Sequence, residues 1–254
     1  MLSKITPLIL TYNESCNIKR TLAKLDWAER IVVVDSYSTD NTLDILQSYP
    51  QVEVRQRKFD THTRQWNYGL EQIETEWVLS LDADYVLTDE LIKEIKQIPD
   101  NSVINGYFIY FKYCVFGKPL KASILPPRQA LFRRSEAIYI DDGHTQLIEV
   151  KGKSDYLKNS ILHDDRKPLT RWLWAQDRYM IIEAKKLMEI PKSELSFADK
   201  IRRKKIIAPL IIFFYCLILK QGILDGWRGW YYAFQRTLAE ILLSIRLIET
   251  NAKY

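Results

Sequence analysis

The chain has 254 residues, 47% of them hydrophobic and 27% charged, which suits one large domain with or without an appendage and excludes wholesale disorder. Three widely separated cysteines, Cys16, Cys114 and Cys216, show no C-x-x-C spacing, which argues against a disulfide framework or a zinc site and for a reducing compartment. The net charge of +5 is uneven: residues 166–254 carry 17 Lys+Arg against 8 Asp+Glu, so that half is suited to a polyanionic partner, either nucleic acid or anionic membrane.

Residues 4–11 are predicted as the first strand, with Pro7 suited to an edge or a strand start. The N-terminus has no basic region followed by a long apolar core, so no secretory signal is expected. Tyr12-Asn13-Glu14-Ser15 is a polar turn able to cap a helix over residues 16–25. Residues 31–34 are four β-branched side chains in succession, which reads as a parallel strand buried on both faces. It ends at Asp35, and a helix follows to about Ser48. A third strand spans residues 51–57, a helix residues 62–73, and a fourth strand residues 77–81. The alternation predicts a doubly wound parallel sheet.

The fourth strand stops on Asp82 and Asp84, spaced i and i+2. At a strand end of an open α/β sheet such carboxylates border the ligand crevice, and they suit a hard divalent cation. The same pair also suits the cap of a helix over residues 88–97. Residues 103–115, 129–132, 137–140, 146–150 and 155–162 are strand candidates that continue a mixed sheet in the same domain. After His163 the pattern turns helical, beginning with residues 169–188. A basic run at residues 200–205 precedes an apolar run at 206–219 that contains Pro209. This run is shorter than the roughly 20 residues of a full span. It reads as an in-plane membrane segment, or else as a buried core helix. Residues 226–232 add interfacial aromatics, and a last helix covers residues 233–249. The expected domains are residues 1–165 and 166–254.

Three strand ends fall on one edge of this sheet: Thr11-Tyr12-Asn13-Glu14, Asp35-Ser36 and Asp82-Ala83-Asp84. In parallel strands every carboxyl end faces one crevice. The chemistry there is a nucleotide platform with a metal site. Asp35 can accept from a base or ribose, Tyr12 can stack on the base, and Asp82 and Asp84 can hold Mg2+ or Mn2+ on a diphosphate. Neither G-x-G-x-x-G nor a P-loop is present.

Those three motifs, together with Val34-Asp35-Ser36-Tyr37-Ser38-Thr39-Asp40-Asn41-Thr42 and Arg64-Gln65-Trp66-Asn67, resemble the family 2 inverting glycosyltransferases of the α/β GT-A fold. Within that family the chain is most similar to the bacterial lipopolysaccharide-core and surface-polysaccharide branch. Tyr179 and the stretch from Leu219 to Gly226 carry the resemblance into the tail. The resemblance implies that Thr11, Tyr12, Glu14 and Asp35 contact the nucleoside of a UDP-sugar. Arg64 and Arg128 would serve the diphosphate, with an exposed helix arginine and an exposed strand edge as their plain alternatives. Asp82 would face the ribose and the metal shell, and Asp84 and His163 would hold the metal.

An inverting transfer needs a general base for the acceptor hydroxyl. The branch carries a His-Glu pair where this chain has His144-Thr145. That departure leaves Asp142, then Asp141, as the candidates, with an Asp-Gly hairpin turn as their structural alternative. The resemblance therefore implies a metal-dependent hexosyltransferase acting on a lipid-linked or glycolipid acceptor, peripheral on the cytoplasmic face of the cell membrane. The rivals are a polyprenyl-phosphate sugar synthase and a non-catalytic nucleotide- or membrane-binding module. Nucleic acid is not expected, because the tail's aromatics cluster with Ile and Leu and do not alternate with Lys and Arg.

Overall fold

The structure, a computed structural model, describes residues 1–142 and 145–252, and of residues 141, 142, 145, 146, 251 and 252 only the backbone. The chain forms two compact units, residues 1–117 with 125–166, and residues 118–124 with 167–254.

In the first unit β1 (Ile5–Thr11), β2 (Ile31–Asp35), β3 (Val52–Gln56) and β4 (Trp77–Asp82) are parallel. They are linked by α1 (Ile18–Leu22), α2 (Thr42–Gln47) and α3 (His62–Glu71). The period of two explains the β-branched run. Ile31 and Val33 enter one cluster with Ile18 and Leu22 of α1, while Val32 and Val34 enter another with Trp66 and Leu70 of α3. Pro7 lies near the start of a central strand, which fits the strand-start alternative and not the edge. Pro7 is paired with Leu79 of β4, but the β2 pairing begins only at Leu8, so at Pro7 the strand is bordered on one side.

A short strand absent from the sequence reading, β5 (Tyr85–Leu87), precedes α4 (Asp89–Lys96). The cap of α4 is Thr88, whose Oγ1 accepts from Leu91 N at 3.2 Å, which leaves Asp82 and Asp84 for other work. Then come β6 (Ile104–Val115), β7 (Lys118–Pro119, within the second unit), β8 (Arg128–Arg133), β9 (Ala137–Asp142), β10 (Thr145–Val150) and β11 (Lys153–His163). The sheet order is β3-β2-β1-β4-β8-β6-β11-β5. β8 enters antiparallel between β4 and β6, and β11 runs parallel to β6.

β9 and β10 leave this sheet and form their own antiparallel pair. The reason is α3. Asn67 donates from Nδ2 to Tyr139 O at 2.8 Å and accepts at Oδ1 from Tyr139 N at 3.0 Å. The Tyr139 ring stacks on Trp66 with centroids 5.2 Å apart. A side-chain amide thus takes a backbone pair that a neighbouring strand would otherwise take.

The second unit holds α5 (Leu169–Glu189), α6 (Phe197–Arg202), α7 (Ile207–Phe214), a π-helical turn (Tyr215–Leu219) and α8 (Trp227–Ala252). Ala184, Leu187, Leu195, Leu243 and Leu247 form an apolar core. Arg202 joins Glu240 at 2.8 Å, Asp199 at 3.4 Å and Glu183 at 3.5 Å. The aromatic run after Gly226 is helix, so α8 begins well ahead of residue 233. Gly226 turns the chain at φ +61°, and Gly229 lies against the carbonyl of Gly222, where any Cβ would collide. The apolar run 206–219 is not a core helix. Ala208, Cys216 and Leu217 are buried, whereas Ile206, Leu210, Phe214, Ile218 and Leu219 are exposed. Among the described residues no helix is long and apolar enough to cross a membrane.

Candidate active site

Parallel pairing sets the strand ends in register: Thr11 lies opposite Asp35, and Leu10 opposite Asp82. The loops that leave β1 and β2 are bound to each other. Asn13, at φ +55°, donates its N–H to Ser38 Oγ at 2.9 Å, and its Oδ1 accepts from Thr39 N at 2.8 Å. Glu14 N reaches Thr42 Oγ1 at 2.8 Å, and Ser15 N reaches Asp40 Oδ2 at 3.2 Å. Tyr12 and Tyr37 stand exposed at the two loops as flat faces on which a base can stack.

Asp35 is fully buried and shapes this loop. It accepts from Thr11 Oγ1 at 3.0 Å, Ser38 N at 2.9 Å, Ser38 Oγ at 2.5 Å and Gln56 Nε2 at 3.4 Å. The Thr11 hydroxyl is directed into that network, and Glu14 Oε2 accepts from Asn17 Nδ2 at 2.9 Å. Asn17, wholly buried, also donates to Asp165 Oδ1 and accepts from Arg166 N, each at 2.9 Å. Arg20 adds a bond to Asp164 O at 2.7 Å. The segment after β11 is thereby tied to the start of α1. Neither Asn17 nor Arg20 carried a motif signal in the sequence.

Beyond β4 a second cluster gathers Asp82, Asp84, Tyr85, Arg128 and His163. His163 Nε2 lies 3.1 Å from Asp84 Oδ2, and its buried Nδ1 has no hydrogen-bond partner among the described residues. The His163 ring packs edge-on against Tyr85 and Tyr113, centroids 5.2 Å away in each case. Burial opposes the charged imidazole, but the Asp84 carboxylate outweighs it and raises the His163 pKa above its ordinary value. The Tyr85 hydroxyl accepts from Arg128 Nη1 at 3.1 Å and is hydrogen-bonded to Asp82. Burial, then the charge of Asp82, push its pKa well up.

The donor set of this cluster, carboxylate oxygens with one imidazole, fits Mg2+ or Mn2+. Among the described residues no three His, Cys, Asp or Glu side chains are placed to hold a metal by themselves. The chain thus offers a partial shell of the kind that substrate phosphates and water complete.

Arg64 stands apart from the cluster's contacts: its side chain is 70% exposed and pairs with Asp60 at 3.2 Å. Its neighbours in Arg64-Gln65-Trp66-Asn67 have clearer tasks. Gln65 donates to Ser36 Oγ at 2.8 Å and accepts from Arg57 Nη1 at 2.6 Å, while Trp66 and Asn67 hold β9. Asp141 and Asp142 close β9, opposite Gln146 and Thr145. The side chains of these two aspartates, like all of Gly143 and His144, lie outside the described residues.

Comparison with known proteins agrees with this architecture. SunS of Bacillus subtilis, an SPbeta prophage-derived glycosyltransferase, is 38% identical over 89 residues, 34% of this chain and 21% of SunS. An uncharacterized glycosyltransferase of Rickettsia bellii is 32% identical over 108 residues, 42% of this chain and 36% of the relative. The matches thus span between a fifth and two fifths of these curated relatives. Among solved structures, the mannosyltransferase PcManGT from Pyrobaculum calidifontis, in complex with GDP-Man and Mn2+, has a TM-score of 0.55 at 13% identity, covering 98% of this chain and 88% of that one. Residues 1–349 of S. aureus TarS, in complex with UDP-GlcNAc, have a TM-score of 0.50 at 16% identity, covering 98% and 91%. These structures share the GT-A-like fold. The model described as Glycosyl transferase family 2 matches residues 8–152, more than half of the sequence, and the chain belongs to that family.

Proposed function

We propose that the chain transfers a hexose from a UDP-sugar, with inversion, to a lipid-linked or membrane-anchored saccharide in lipopolysaccharide or surface-polysaccharide synthesis. It would act at the cytoplasmic face of a bacterial membrane, with residues 1–165 as the catalytic domain and 166–254 as the acceptor- and membrane-facing region. The observation that carries the reading is the contact of Asp84 with His163 beside Asp82, Tyr85 and Arg128, at the carboxyl edge of the sheet. Complexes of the same fold contain UDP-GlcNAc in TarS and GDP-Man with Mn2+ in PcManGT, which supports a nucleotide-sugar donor. The preference for uridine rests on the likeness of Thr11, Tyr12, Glu14 and Asp35 to the family motif.

In this reading Tyr12 and Tyr37 stack on the base, and the loop held by Asp35 keeps them in place. Asp84 and His163 would hold the divalent cation, with Asp82 in its shell. That cation, when bound, neutralises charge on the departing diphosphate. Arg128, fixed on Tyr85, supplies a second positive charge to the same oxygens. Asp142 or Asp141 takes the proton of the acceptor hydroxyl.

The test is nucleotide release from UDP-, GDP- and dTDP-sugars, with membrane extract as the acceptor source. UDP-sugars should turn over fastest. EDTA should abolish transfer and Mn2+ or Mg2+ should restore it, while Asp84→Asn should lower turnover by several orders of magnitude in a folded protein. Full activity in chelator would remove the metal from the reading, and a faster GDP-sugar reaction would remove the uridine.

A further inference from the structure

α8 carries an apolar stripe that its own unit leaves uncovered. Trp227, Trp230, Phe234, Ile241, Ile245 and Ile248 recur at intervals of three, four and seven, which keeps them on one helix face. Each is between 39% and 57% exposed. The buried face of the same helix is Tyr232, Ala233, Ala239, Leu243 and Leu247. At 1.5 Å per residue the stripe is roughly 30 Å long. α7 widens it: the Phe213 ring lies 6.1 Å from Trp230 and 6.0 Å from Phe234. Next to it, Leu210, Ile211, Phe214, Ile218 and Leu219 line an open apolar depression.

Much of the acidic charge in this unit is engaged internally. Asp199, Glu183 and Glu240 face Arg202, Asp177 faces Arg246, and Asp225 accepts from the N–H groups of Lys121 and Ala122. These five carboxylates are thus neutralised or hydrogen-bonded internally. Lys200 and Lys204, exposed just ahead of α7, have no carboxylate partner among the described residues.

We propose that this face docks on an anionic bilayer, α8 lying in the plane of the membrane with its stripe at the boundary between headgroups and acyl chains. Trp227 and Trp230 sit at the level where indole rings are favoured, and Lys200 and Lys204 meet anionic headgroups. α8 itself does not span, since Arg236, Glu240 and Arg246 lie within it. A second copy of the chain is the less fitting occupant, because pairing two such faces would bring the unneutralised lysines of both together. The inference deepens the membrane part of the proposed function. Its test reads vesicle binding and not transfer, so either can fail alone.

The full chain is sedimented with vesicles of phosphatidylcholine alone, or of phosphatidylcholine mixed with phosphatidylglycerol. It should partition onto the mixed vesicles, less so at high salt, where exposed charges are screened beyond about 10 Å at 0.1 M. Ile241→Glu with Ile245→Glu should reduce partition at least about tenfold. Lys200→Glu with Lys204→Glu should reduce it roughly fivefold per lysine, on the anionic vesicles only. The lysine pair decides alone if the isoleucine variant melts early. A chain that ignores both vesicle types overturns the proposal, as does partition unchanged in both variants. A dimer that the isoleucine variant splits, without vesicle binding, assigns the face to a second copy and overturns it as well.

Discussion

Two aspartates, Asp35 and Asp40, hold the loop that follows β2. Asp40 accepts from Thr42 N at 3.0 Å, from Thr42 Oγ1 at 2.5 Å and from Ser15 N at 3.2 Å. Burial alone would raise its pKa, but these donors outweigh it and hold the carboxyl below its usual 3.8. A depressed native pKa stabilises above the unfolded value, and the stabilisation is lost as pH falls through the native one. Asp40→Ala should therefore cost about 1–2 kcal/mol at neutral pH. The gap in denaturant midpoint between variant and parent should narrow as pH drops below 3.8. Asp35, with four donors around it, is where a bulkier change should loosen both tyrosines at once. At the other end of the site, Asp142→Asn should cut transfer by roughly 10²–10⁴-fold if it is the base. UDP binding, measured by calorimetry, should stay the same. A loss confined to Asp141→Asn would move the role by one residue.

Among the elements, α3 does the most to assemble the site. One turn of it reaches the β2 loop through Gln65 and the β9–β10 pair through Trp66 and Asn67. Asn67→Ala removes two reciprocal bonds to Tyr139, and should cost about 1–2 kcal/mol in thermal or urea unfolding. Because β9 carries Asp141 and Asp142, the same variant should lower kcat while leaving UDP affinity intact. A fall in UDP affinity with unchanged kcat would deny α3 this positioning role. In the helical unit, Arg202 is the common partner of carboxylates from α5, α6 and α8. Arg202→Leu leaves Glu183 and Glu240 buried without it, and should destabilise by about 3–5 kcal/mol, seen as an early loss of helical circular dichroism.

For the molecule as a whole, ligand binding and folding are linked. UDP with Mn2+ at 100 times its Kd should stabilise the native state by roughly 2.7 kcal/mol and raise Tm, with GDP and dTDP giving smaller shifts. A larger shift with GDP would reverse the nucleoside assignment. The charge balance is also a property of the whole chain. Residues 1–165 carry 20 Lys+Arg against 24 Asp+Glu and residues 166–254 carry 17 against 8, so salt should weaken association with anionic surfaces through the second half.

The sequence by itself determined the parallel core. β-branched residues such as 31–34 can bury both faces only inside a sheet, and parallel strands put Thr11, Asp35 and Asp82 at one edge whatever the side chains between them do. Helix existence was also local, because periodicity and caps such as Thr88 act within one turn. Tertiary structure decided what those groups touch. Thr11 and Glu14 turn into protein networks, Asn17 meets Asp165 across 148 positions, and Asn67 captures β9 across 72. The start of α8 at Trp227 depends on Gly229 fitting against Gly222, and Pro7 is tolerated because β2 pairing starts one residue later. Apart from Glu14 with Asn17 and Gly229 with Gly222, these are contacts between segments far apart in the chain. Local propensity holds no record of such contacts, since their energy exists only once the intervening chain has folded.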